Sequence, residues 1–201
     1  MIQRYNKTEI NKLANILIND GVISVPTDTV YGICARINSI KAYNKLIAVK
    51  NRPLTKSFPI MCADEKQIKE IGIVDKRAEK LIQKFMPGPI TLVLKKNANI
   101  PDYVSNDKDT IAVRMATSQE IKKLIEMLEC PIFMTSANIS GMPVCTSLDE
   151  IEKECPLIDG MLEGRVNFGE SSTIVDCTKE KLQILRQGPI SEEQIKMIEE
   201  S

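Results

Sequence analysis

Helix-period and strand-period apolar segments alternate along the whole chain, and no long linker, low-complexity tract or repeat interrupts them. That alternation argues for helices packed on a sheet, an α+β or mixed α/β domain. With 201 residues the chain can bury roughly 70% of its unfolded surface, so one domain over residues 1–201 needs no staples. The spacing predicts a first helix from about Thr8 to Asp20, with Ile10, Leu13, Ala14 and Leu17 inward and Gly21 as a left-handed cap. Strands are expected at Val22–Val25, Val30–Ile33, Phe58–Cys62, Ile90–Leu94, Ile111–Met115 and Ile132–Met134. Helices are expected at about Ile40–Val49, Glu65–Glu70 and Lys76–Phe85. Pro87-Gly88-Pro89 is a hard break. Capping boxes at Thr117/Glu120, Ser147/Glu150 and Ser191/Gln194 open three further helices. Thr173–Asp176 and Leu182–Leu185 read as a hairpin.

What is missing narrows the chemistry. The sequence has no His, which excludes Ser-His-Asp triads, Cys-His dyads and His-ligated zinc. It has no Trp and only four Tyr and four Phe, so base-stacking platforms are poorly supplied. Lys plus Arg and Asp plus Glu are 27 each, so no basic excess advertises non-specific nucleic-acid binding. Cysteines at 34, 62, 130, 145, 155 and 177 contain no C-x-x-C pair. With no secretory start and no run of 18 apolar residues, the pattern suggests a cytoplasmic protein with buried thiols and no membrane span.

Polar clusters recur where a strand hands over to a loop, the place where open sheets bind ligands. Lys50-Asn51-Arg52 ends a helix. The cations either complement the helix dipole or grip a polyphosphate, the Arg bidentately. Arg114 interrupts an apolar strand and must meet a carboxylate, a phosphate or a cavity. Arg186 closes a strand before Gly188, as an exposed loop residue or beside a ligand. Thr135 to Gly141 is small and hydroxyl-rich, serving as a plain turn or as a cradle for phosphate or carboxylate. No P-loop or G-x-G-x-x-G fingerprint exists, so a nucleotide would be held by another device.

In order, the segments PTDTVYGI, KNRP with KSFPIM, FMPGPITLVL, TIAVRMA, TSANISG, SSTIVD and LRQG resemble the YrdC family of threonylcarbamoyl-AMP synthases. The likeness runs from about Gly21 to Gly188. It implies a twisted mixed sheet flanked by helices around a deep basic cavity. It also implies synthesis of threonylcarbamoyl-AMP and pyrophosphate from L-threonine, bicarbonate or CO2, and ATP. A downstream transferase complex would move the group onto a tRNA adenosine beside the anticodon. By the same resemblance, Thr29, Tyr31, Arg114 and Ser172 would serve threonine. Lys50, Arg52, Lys56, Thr110, Ser136, Asn138 and Arg186 would serve ATP, with Lys50 and Arg52 catalytic. Mg2+ would arrive on ATP, with no protein side chain as ligand, and weak RNA binding is a further partner class. Two positions depart from the pattern. Met61 stands where some longer relatives have a threonine-contacting His, and Val144 where relatives often have Ser. The chain resembles the short form without an extra C-terminal domain. The competing readings are a binding module of this fold that makes no adenylate, and a carbamoyl-phosphate-using domain of the hydrogenase-maturation kind.

Overall fold

The computed structural model describes residues 1–166 and 171–199. In chain order the elements are β1 (Arg4–Tyr5), α1 (Ile10–Ile18), β2 (Ile23–Pro26), β3 (Tyr31–Arg36), α2 (Ile40–Lys50), β4 (Ile60–Cys62), α3 (Glu65–Ile71), β5 (Gly72–Ile73), α4 (Lys76–Phe85), β6 (Ile90–Lys96), α5 (Asp102–Ser105), β7 (Thr110–Met115), α6 (Gln119–Leu128), β8 (Ile132–Ser136), α7 (Leu148–Glu154), β9 (Gly160–Leu162), β10 (Thr173–Asp176), β11 (Gln183–Arg186) and α8 (Glu192–Glu199). A short 3-10 turn, Lys7–Glu9, precedes α1.

Among the described residues, all eleven strands join one mixed sheet in the order β1-β9-β2-β3-β8-β4-β7-β6-β10-β11, with β5 on the far end of β6. The pairs β4–β7 and β6–β10 are parallel, whereas β2–β3, β3–β8 and β6–β7 are antiparallel. The register sets Met61 beside Arg114, Gly32 beside Ser136 and Thr91 beside Ile174.

Helices cover both faces. On one, Leu13, Ala14 and Leu17 of α1 and Leu124 and Ile125 of α6 pack on Ile23, Cys34, Met61 and Ile132. On the other, Leu46 of α2, Ile68 of α3 and Leu81 and Ile82 of α4 pack on Ile33, Leu92 and Phe133. Each fully buried Leu or Ile contributes roughly 1.5–3 kcal/mol. All six cysteines are buried and unpaired, and burial pushes their thiols up. Among the described residues, no helix is long and apolar enough to cross a membrane.

Several helix ends differ from expectation. The left-handed residue closing α1 is Asp20, with φ 65°. Gly21 follows it because a Cβ there would meet the Ile16 carbonyl oxygen at 2.7 Å. Ser118, not Thr117, caps α6, accepting a hydrogen bond from the Ile121 N–H at 3.1 Å. At α7 only half the box forms: Ser147 accepts from Glu150 N–H, but Glu150 turns back to Thr146 N–H. The box at Ser191 and Gln194 is complete.

Candidate active site

Strand alternation sets Thr110, Ala112 and Arg114 on one face of β7. Ala112 and Arg114 line a cavity of about 290 Å³ together with Gly32 of β3, Thr91 of β6, Met134 and Ser136 of β8, and Ile174 of β10. Loop residues Thr27, Thr29, Arg52, Val144, Ser172 and the strand-end residue Arg186 add to the polar and apolar walls, and among the described residues the lining holds no carboxylate.

The β2–β3 turn is tied by Thr27. Its hydroxyl donates to the Val30 carbonyl at 2.6 Å and lies 3.2 Å from the Thr29 hydroxyl, which it turns into the cavity. Gly32 keeps the wall open: a Cβ there would meet Met134 Sδ, in a flexible side chain, at 2.4 Å. Tyr31 points away into the opposite core, where its hydroxyl donates to the Gly164 carbonyl at 2.8 Å.

Lys50 and Arg52 take opposite directions because Asn51 between them is left-handed, with φ 44°. Lys50 is 1% exposed. Its ammonium donates to the Ser136 carbonyl at 2.6 Å, the Asn138 carbonyl at 2.5 Å and Asn138 Oδ1 at 2.6 Å. Those three bonds use all its protons. Burial pushes its pKa down to about 8. Asn138 Oδ1 also accepts from the Ser136 hydroxyl at 2.7 Å, and its amide donates to the Met142 carbonyl. The K-x-R lysine and the S-x-N pair are thus one buried network beneath a turn. Lys50 and Asn138 do not line the cavity; Ser136 does.

Arg52 stacks 4.6 Å from the Phe58 ring centroid and donates from Nε and Nη2 to the carbonyls of Lys56 and Ser57. Lys56 is exposed on that loop, and Thr110 sits at the start of β7; neither is in the cavity wall. Arg186 donates from Nε and Nη2 to the Ser172 carbonyl at 3.0 and 2.8 Å, and Ser172 Oγ lies 2.9 Å from Thr91 Oγ1. Burial, then the charge of Arg114, holds the Arg186 guanidinium below its ordinary pKa.

Arg114 is paired through Nη2 to both oxygens of Asp28, at 3.1 and 3.0 Å. Its Nε is buried with no partner among the described residues. A buried donor left unpaired costs about 1–3 kcal/mol. Met61, Arg114's neighbour in register, is fully buried and absent from the cavity wall; Val144 is in it.

Residues 15–188 match the Sua5/YciO/YrdC family, described under telomere recombination. The chain belongs to this family. A Methanocaldococcus jannaschii Sua5/YciO/YrdC relative, named provisionally as a threonylcarbamoyl-AMP synthase, is 35% identical over 94% of this chain and 92% of its own length. The Pyrococcus abyssi threonylcarbamoyl-AMP synthase is 34% identical over 98% of this chain, which spans 58% of it. The solved structure of P. abyssi Sua5 with L-threonine superposes with a TM-score of 0.90 at 31% identity, covering 98% of this chain and 60% of that one.

The cavity therefore gathers Thr29, Arg52, Arg114, Ser136, Ser172 and Arg186. Lys50 and Asn138 reach it only through the turn they hold, and Tyr31, Lys56 and Thr110 stand outside its wall. Sequence reasoning missed Thr27, Thr91 and Asp28. The Thr-x-Thr spacing of a hydroxyl turn and a lone Thr inside Ile90–Leu94 were the available signals.

Proposed function

We propose that the chain is a threonylcarbamoyl-AMP synthase acting for threonylcarbamoyladenosine formation in tRNA. The threonine amine adds CO2 or bicarbonate to give a carbamate, with a proton or water released. A carbamate oxygen then attacks the α-phosphorus of ATP, and the bond to the β-phosphate oxygen breaks to release pyrophosphate. No covalent enzyme nucleophile is needed, which suits a chain without His. Catalysis is positioning plus electrostatic stabilisation.

Arg114 takes the threonine carboxylate through the part of its guanidinium that Asp28 does not hold, with Thr29 and Ser172 at the remaining polar groups. Arg52, Arg186 and the Ser136–Asn138 turn take the phosphates, and Lys50 acts by holding that turn. Lys56 and Thr110 serve the outer part of the nucleotide, and Tyr31 braces the wall from behind. ATP enters with Mg2+ on its own oxygens. Among the described residues no three His, Cys, Asp or Glu cluster as a metal set. The product passes to a transferase complex that acts on tRNA.

The observation that carries this reading is the meeting of Arg52, Arg114 and Arg186 at one cavity, whose lining holds no carboxylate among the described residues. The test is pyrophosphate release from ATP. Release that requires both threonine and bicarbonate supports the reading. Release independent of threonine contradicts it.

A further inference from the structure

Among the described residues Asp28 is the carboxylate that pairs with Arg114, yet it is absent from the cavity wall. It lines a smaller pocket of about 190 Å³ on the far side of the Thr27 turn, with Lys7, Thr117, Glu120 and Arg165. Arg114 stands between the two spaces. Its side chain is 12% exposed and takes both Asp28 oxygens on Nη2, from behind. Glu120, the other carboxylate of the small pocket, is taken by Lys7 at 2.5 Å. Asp28 pairs with Arg114. The turn carrying it is locked by Thr27, whose hydroxyl meets the N–H groups of Thr29 and Val30 and the Val30 carbonyl.

We propose that Asp28 is a positioning residue for the substrate-binding guanidinium. It grips Arg114 Nη2 from outside the cavity wall and so fixes the plane and direction of a guanidinium that lines the cavity, where a carboxylate would meet it. A guanidinium is a planar fork, so fixing one nitrogen fixes the direction of the others. Asp28 also offsets the repulsion between Arg114 and Arg186, which face the same small volume. Without it, Arg114 is free to swing away from Arg186, and the carboxylate site is lost while the phosphate side stays. This inference rests on the reading of the cavity as a threonine site.

The test is a double-mutant cycle read by calorimetry with L-threonine and, separately, with ATP. Asp28→Asn keeps the shape and removes the charge. The expected result is a threonine Kd weakened about ten- to a hundredfold, the scale of a misplaced positioning group, with ATP Kd changed less than about twofold. Asp28→Glu recovers part of the loss. In an Arg114→Met background, Asp28→Asn adds less than about twofold, because it acts through the missing group. Threonine affinity unchanged in Asp28→Asn, an equal loss for ATP, or additive losses in the double variant would each overturn the proposal. Wild-type protein that binds ATP but no threonine would instead defeat the reading of the cavity. The positioning role is then decided by the Arg114 Nε–H signal in nitrogen-15 NMR. A signal resolved in wild type and averaged in Asp28→Asn supports the role. The same signal in both overturns it.

Discussion

At the residue scale, Lys50 and Arg114 are both buried cations with opposite uses. Lys50 spends all three protons on the Ser136–Asn138 turn, whereas Arg114 keeps Nε unpaired. Lys50→Met orphans three acceptors and should cost about 3 kcal/mol, lowering Tm by about 6–12 °C in a domain this size. It should weaken ATP more than threonine. Arg114→Met removes the carboxylate partner and should weaken threonine at least about tenfold with ATP little changed; equal losses for both ligands would contradict the assignment. The Lys50 pKa also has a consequence for stability. The unfolded chain keeps this proton up to about pH 10.5, the folded protein only to about 8. Between those values the unfolded state binds more protons, so stability rises with pH. In thermal melts across pH 7.5 to 10.5 the stability difference between wild type and Lys50→Met should therefore widen as pH rises, because only the wild type gains. Parallel curves would refute the buried, depressed lysine.

At the element scale, the segment carrying Arg186 is fastened by Thr173 at the start of β10. Its hydroxyl accepts from the N–H groups of Gly188 and Ile190 at 3.0 Å each and donates to the Ile190 carbonyl at 2.9 Å. Gly188 crosses so close that a Cβ would meet the Ser171 carbonyl oxygen at 2.3 Å and Thr173 N at 2.5 Å. Backbone cannot yield as a side chain can, so Gly188→Ala should cost about 1–3 kcal/mol and displace Arg186. Gly32→Ala meets mainly the end of Met134, so it should cost less stability while narrowing the cavity. Melting curves beside turnover would separate the two. Long periodic elements were legible in the sequence: α4 is Lys76–Phe85 as spacing predicts, and the β10–β11 hairpin pairs as expected. The two-residue β1 and β5, the three-residue β9 and the one-turn α5 were not, because neighbours rather than periodicity specify them. Arg114 stood out as a charge in an apolar strand. Asp28 did not, because its partner lies 86 positions away. Lys50 was legible as important but not as buried, since direction after α2 depends on the left-handed Asn51.

At the scale of the whole molecule, equal numbers of acidic and basic residues hide a local separation of charge. Arg52, Arg114 and Arg186 converge on one cavity whose wall has no carboxylate among the described residues, while the sheet order brings their strands and loops together from distant parts of the chain. Zero net charge predicts weak, salt-sensitive binding to bulk RNA, so a steep salt slope with tight binding would favour a binding module over an enzyme. The central claim is that this cavity joins threonine, bicarbonate and ATP. Purified protein with ATP, Mg2+, L-threonine and carbon-13 bicarbonate tests it most directly, read by mass spectrometry. The expected product is threonylcarbamoyl-AMP carrying the label, absent without threonine and lost in Arg114→Met. Folded protein that binds ATP yet forms no labelled adduct would contradict it.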